Sequence, residues 1–360
     1  MKRPGFGVRL LSGDPPGNPI LSGLLILALI GLIVTPFLFP GTRSLAVAER
    51  ICIFVVLAAS YDMLLGYTGI VSFAHTMFFG IGAYGVAIAL SKFGTGWDAV
   101  LLGMGAAIVI AIVLAVIIGL LSLRVRAIFF SMITLAVASF AQILATQFRD
   151  LTGGEDGLTF QLPHILTPSF RVFSDPVLGI RIDGRIVAYY LIFVLSLLLF
   201  LFMLRIVNSP LGRVLQAIRE NEFRAEALGY RTILYRTLAG ALSAAIAAIA
   251  GGMLALLLRY TGPDTTLSFS VMVDILLMVV IGGMGTLYGS VLGAIIMVMA
   301  QYYLQPAMGA LSDAFTGLPL LPALFHPDRW LLWLGLMFVL IVYFFPGGIV
   351  GRLRLGGSRH

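Results

Sequence analysis

Charge is scarce in this chain. Asp, Glu, Lys and Arg make up 11% of its 360 residues, where soluble domains carry about a quarter. The shortage excludes an ordinary soluble enzyme or scaffold. Cysteine is almost missing: Cys52 stands alone, which excludes an internal disulfide and a cysteine-based metal cluster. There is no HExxH, no GxSxG, no cysteine–histidine cluster and no P-loop. No catalytic or metal-ligating constellation is therefore expected, and no cofactor bound by this chain. The missing P-loop means that any ATP-driven movement of a solute needs another chain to hydrolyse the ATP. Finally, no A-x-A site stands directly after the first long apolar run, Ile20–Phe39. That run reads as a spanning helix, because the apolar core of a cleaved signal is only about 7–15 residues.

What is present is apolar length. Hydrophobic residues make up 60% of the chain and the mean hydropathy is +1.05. Crossing the hydrocarbon core takes about 20 apolar residues in a helix. Ten segments qualify: Ile20–Phe39, Ala46–Leu65, Val71–Leu90, Ala99–Leu121, Ile128–Phe148, Ile186–Leu204, Thr237–Leu257, Phe269–Gly283, Tyr288–Leu304 and Trp330–Phe345. The chain thus reads as an all-α polytopic membrane protein of about ten transmembrane helices. Glycines at Gly66 and Gly69, and at Gly282, Gly283 and Gly285, mark two places where a helix could break or re-enter.

The net charge of +7 reads as topology, with no nucleic-acid partner, because basic residues gather on cytoplasmic loops. With ten spans both termini share one side. Placing them in the cytoplasm puts fourteen of the 23 Lys and Arg residues inside and nine outside. The expected organisation is a cytoplasmic tail over 1–19, a transmembrane domain over 20–345 and a cytoplasmic tail over 346–360.

Two connections exceed the usual short loops. Asp150–Arg185 falls outside and is rich in Gly, Pro, Asp and Arg. Ile206–Arg236 falls inside and carries helix signals. Ser209 suits the N-cap and Pro210 the first turn. Leu211, Leu215, Ile218 and Ala225 share a face, Glu220 and Arg224 form an i, i+4 pair, and Gly229 suits the position just past a helix end. One helix from Pro210 to Leu228 is the prediction. It reads either as a surface helix on the membrane or as a docking element for a cytosolic partner.

The most informative stretch is GYTGIVSFAHTMFFGIGAY at 66–84. Small residues allow close helix approach in a bilayer, and a histidine at such depth needs a partner or a purpose. His75 is thus either an interhelical hydrogen-bonding residue or part of a pathway. Asp274 poses the same choice near the mouth of its helix, and Asp62 reads as solvated or capping near a helix end. The Gly282–Gly293 series suits close packing, with a broken helix at a permeation site as the sharper reading.

Four ordered motifs carry a resemblance. They are the 66–84 segment; AIFFSMITLA at 127–136 with LTGGEDGL at 151–158; GRVLQAIRENEFRAEALGY at 212–230 before AGALSAAIAAIAGGMLAL at 239–256; and ILLMVVIGGMGTLYGSVLGA at 275–294. Together they resemble the LivM-type permease subunits of branched-chain amino acid ABC transporters, from about Ala58 to about Ala294. Asp62 stands where the family often has Asn, Asp274 where Glu is common, and Ile70 where Gln is usual. The resemblance implies an ABC importer permease in a bacterial inner membrane. It implies a second homologous permease, two cytoplasmic ATPase subunits that hold ATP and Mg, and an external solute-binding protein. Ser72, His75, Ser131, Thr134 and Asp274 become pathway candidates. Arg213, Arg219, Glu220, Arg224, Glu226 and Gly229 become the ATPase-coupling set. A permease for urea or short amides, from the same family, is one alternative. An ion-coupled secondary transporter using Asp62, His75 and Asp274 is another, and a membrane-embedded enzyme a third, disfavoured one.

Overall fold

One helix sits at the centre and the others wrap it. A computed structural model describes residues 18–122, 127–171, 182–314 and 325–356. The tail over 1–17 and the basic residues Lys2, Arg3, Arg9, Arg124, Arg126, Arg181 and Arg359 lie outside the described residues. The central helix is α2 (Thr42–Thr68), buried without interruption from Ile51 to Thr68. Around it stand α1 (Pro19–Leu38), α6 (Gly184–Val207), α9 (Thr232–Leu258), α10 (Phe269–Gly282) and α11 (Leu287–Ala314). A second layer is built by α3 (His75–Phe93), α4 (Trp97–Ser122) and α5 (Ala127–Gln147), and α12 (Trp330–Phe344) lies against α10 and α11. Among the described residues ten segments are long and apolar enough to span a bilayer, so the chain is an all-α, polytopic membrane protein.

Small residues set this packing. At Gly82 an added Cβ meets the backbone of Ala248, and at Gly251 the backbone of Phe79. The contact between α3 and α9 is therefore backbone against backbone, the close approach that small residues permit where lipid supplies no hydrophobic drive. The outward faces are the opposite. Ile26, Leu27, Leu101, Phe129, Phe140 and Leu331 are exposed, as lipid-facing side chains are.

The two ends of the bundle differ. At one end β1 (Leu158–Thr159) pairs antiparallel with β2 (Tyr260–Thr261), in the register Leu158 to Thr261 and Thr159 to Tyr260. This ribbon ties the long connection after α5 to the turn after α9. At the other end lie α7 (Pro210–Glu220), α8 (Glu222–Ala227) and α13 (Gly348–Gly356). The stretch after 345 folds back onto the bundle: Val350 is fully buried beside Leu21 and Leu292, and Asn18 Nδ2 donates to Leu353 O at 2.6 Å.

Three expectations are corrected. The single helix over Pro210–Leu228 is two helices, because Asn221 takes extended backbone and its Oδ1 accepts from Arg224 N at 2.9 Å, starting α8 afresh. Ser209 makes no side-chain cap; its hydroxyl donates back to Ile206 O at 2.6 Å instead. The third span begins at His75 in place of Val71, for a reason that belongs to the site.

Candidate functional site

The chain between α2 and α3 is not helical, and it is not outside the bundle either. α2 ends at Gly69, whose φ is +73. Residues 70–72 then carry no regular structure, and the chain bends at Phe73 and turns at Ala74 before α3 starts. His75, its first residue, reaches Ser60, with Nε2 2.9 Å from the hydroxyl. Ser60 lies eight residues before Thr68, so α3 starts about 12 Å inside the end of α2. Non-helical backbone at such depth must find partners in protein. α5 supplies them. Ser131 Oγ donates to Val71 O at 2.8 Å, and Phe73 N donates to Thr134 Oγ1 at 3.0 Å. Ser72 Oγ accepts from Ala74 N at 3.3 Å. Ser72, Ser131 and Thr134 are thus brought together around one break.

His75 is adjacent in the chain but faces elsewhere. The Ser60 hydroxyl donates to Leu57 O at 2.8 Å, so it accepts from the imidazole, which places the proton on Nε2. The ring also lies 5.2 Å from that of Tyr61. From the other flank, Ser243 Oγ donates to Ser60 O at 2.5 Å. Three helices, α2, α3 and α9, are pinned through Ser60, a residue the sequence reading passed over. Its signal was a serine at the end of the apolar run Ile51–Ala59.

Beside the break lies a cavity of about 30 Å³, lined by Leu64, Ile70, Ser72, Phe130, Arg236 and Thr237 among others. That is room for about one water.

A second cluster joins the break to α7. Arg219 Nη1 donates to the carbonyl of Gly66, near the end of α2. One turn earlier on α2, Asp62 Oδ1 accepts from Gly285 N at 2.8 Å. Asp62 is therefore neither solvated nor a cap of its own helix; it ties α2 to the glycine turn between α10 and α11. α7 is held on the bundle by Leu215 and Ile218, both buried. Its companion α8 is fastened by an Arg236–Glu222 ion pair at 2.5 Å and by Thr232 Oγ1 donating to Glu226 Oε1 at 2.8 Å. Arg213, Glu220 and Arg224 face outward, and Gly229 has φ +90. Phe223 and Leu228 stand out beside them at 86% and 73% exposure.

Asp274 is apart from both clusters. Its Oδ2 accepts from Gln301 Nε2 of α11 at 2.9 Å. The nearby Arg50 donates to Tyr302 OH at 3.1 Å and lies over the Phe54 and Tyr302 rings. Among the described residues no group of three or more His, Cys, Asp or Glu side chains could hold a metal ion.

The family model described as "Branched-chain amino acid transport system / permease component" matches residues 44–342. The chain is 27% identical to the high-affinity branched-chain amino acid transport system permease protein LivM of Escherichia coli K12, over 83% of this chain and 74% of that one. It is 28% identical to a probable LivM of Methanocaldococcus jannaschii, over 83% and 90%. It is also 25% identical to the E. coli K12 permease protein LivH, over 83% and 91%. No solved structure matches it. With ten helices apolar and long enough to span among the described residues, and a family match over most of its length, the chain belongs to the branched-chain amino acid transport permeases, and within them to the LivM type.

Proposed function

We propose that this chain is one of two permease subunits of an ATP-driven importer of branched-chain amino acids in a bacterial inner membrane. Its partners are a second, similar permease, two ATPase subunits that bind ATP and Mg, and an external solute-binding protein. The end bearing α7, α8 and both termini is cytoplasmic, and the end bearing the β1–β2 ribbon is external. The observation that carries this reading is the hydrogen bond from Arg219 to Gly66. It links a helix outside the apolar spans directly to the end of the central helix, at the helix break. A push on α7 and α8 from an ATPase subunit would reach the break through this contact. Phe223 and Leu228 give that face apolar anchors, with Arg213, Glu220 and Arg224 as a polar rim. The pathway candidates remain Ser72, His75, Ser131, Thr134 and Asp274.

Sidedness is tested by labelling an introduced cysteine with an impermeant maleimide. Glu155 is exposed and suits the substitution. Gly157 does not, because its φ is +69 and a Cβ there meets Thr261 O. Glu155→Cys should react from the periplasmic side in intact cells. Reaction only after the cytoplasmic face is opened would reverse the topology. Affinity purification of the chain from its native membrane should also bring down ATPase subunits; uptake by the chain alone, driven by an ion gradient, would instead favour a secondary transporter.

A further inference from the structure

Glu49 is the least explained group in the molecule. It sits in α2, seven residues and about 10 Å from the helix start, and only 6% of it is exposed. Among the described residues it makes neither a hydrogen bond nor an ion pair. Ionising a buried carboxyl group without partners is costly, and a cation entering beside it would offset that cost. The side chain is not wholly enclosed by packing. It lines a cleft of about 350 Å³ between α2, α6, α9 and the connection after α5, within the roughly 300–1,000 Å³ of small-molecule sites.

The rest of the cleft is asymmetric. Leu45, Leu162, Leu166 and Leu257 give it an aliphatic wall. Two arginines complete the lining. Arg185 is fixed in place: its Nε is 3.4 Å from Asp183 Oδ2 and its Nη1 donates to Thr42 Oγ1 at 2.8 Å. Arg259 has an exposed side chain and is the one non-glycine residue with positive φ among the described residues, at 57°. Among the described residues neither arginine closes onto the carboxylate as an ion pair. A buried anion, flanking guanidinium groups and an apolar wall in one cleft form a complement to a particular chemistry.

We infer that this cleft binds a zwitterionic aliphatic amino acid, with its ammonium group on Glu49, its carboxylate on Arg185 and Arg259, and its side chain against the leucines. The inference rests on the importer reading for its direction: the cleft lies at the β1–β2 end, where that reading places the delivery of substrate. A metal ion is a poorer fit, since one carboxylate supplies too few ligands. A plain amine leaves the arginines unused, and a plain carboxylate leaves Glu49 unpaired. Recognition by both charges is how such a site separates an amino acid from its uncharged or singly charged analogues.

The test uses the purified full-length chain in nanodiscs with tritiated leucine. Wild type should bind leucine saturably. 4-Methylpentanoate, which lacks the ammonium, and isopentylamine, which lacks the carboxylate, should each compete at least tenfold more weakly than leucine. Glu49→Gln, close in shape and without the charge, should weaken leucine binding at least tenfold. Because that variant could fold poorly, protection is measured beside it with Glu49 intact: Ala46→Cys, on the cleft wall, should be shielded from a maleimide by leucine and not by the two analogues. Absent saturable binding, equal competition by the analogues, or no protection of Ala46→Cys overturns the site. Uptake by the assembled complex keeps the two readings apart. If branched-chain amino acids are taken up while the cleft fails these tests, the importer stands and the site is wrong. If leucine binds as described and the complex carries no branched-chain amino acid, the site stands and the importer reading is wrong.

Discussion

The guanidinium of Arg219 donates to the main-chain carbonyl of Gly66, across 153 positions of sequence. Gly66 lies within the last turn of α2, where carbonyls lack helical partners. The arginine thus occupies a position that helix geometry leaves open, and it does so beside the Asp62–Gly285 tie between two other helices. Movement of α7 cannot leave that junction unchanged.

Arg219→Ala should therefore uncouple the complex without unfolding the chain. A hydrogen bond from a charged donor contributes roughly 1.5–3 kcal/mol, so a loss of about tenfold in substrate-stimulated ATP hydrolysis is expected. The check is ATPase activity and leucine uptake in proteoliposomes, with membrane insertion followed in parallel. Wild-type rates in both assays would remove Arg219 from the coupling route.

Gly229 holds φ +90 where the chain leaves α8. A β-branched residue there is strained by roughly 1–3 kcal/mol. Gly229→Val should misdirect the turn after α8 and reduce copurification of the ATPase subunits. No atom lies within 4 Å of an added Cβ, so the effect comes from the backbone and Gly229→Asn should be milder. Equal losses in the two variants would point to a cause other than φ.

Thr134 serves the helix break twice: it accepts from Phe73 N, and it donates to Ser131 O at 2.9 Å. Thr134→Val keeps the shape and removes both bonds. An amide left unpaired in buried surroundings costs roughly 1–3 kcal/mol. The variant should melt at lower temperature in detergent and transport more slowly. An unchanged melting temperature would show that water or another group replaces the hydroxyl.

His75 and Asp274 separate by their partners. His75→Ala removes the donor to Ser60 and the ring against Tyr61, and should destabilise the detergent-purified chain by roughly 1–3 kcal/mol; His75→Gln should recover part of that. Asp274→Asn keeps an acceptor for Gln301 and removes only the charge. It should leave assembly intact and change uptake. Normal uptake by Asp274→Asn would reduce Asp274 to an interhelical hydrogen-bonding residue.

Much of this molecule was legible in one dimension. Apolar length alone locates the ten spans, because a bilayer accepts only segments that satisfy their own backbone. The family is legible for a related reason: glycines such as Gly82 and Gly251 sit where two backbones touch, and such positions tolerate few residue types. Gly229 was equally readable, since a helix exit through positive φ calls for glycine. Ends and partners were not. Hydropathy could not show that residues 69–74 re-enter the bundle, because the groups that pay for that exposed backbone, Ser131 and Thr134, lie some sixty positions away. Asn221 split a helix that propensity alone would continue. Nothing in the sequence singles out Glu49, and only the closing of α6, α9 and the connection after α5 around it makes it a buried carboxylate facing a cleft. Sequence determined which segments enter the membrane, through the local chemistry of each. The tertiary structure decided which polar groups meet there, because each of those meetings needs two or more helices that sequence order does not bring together.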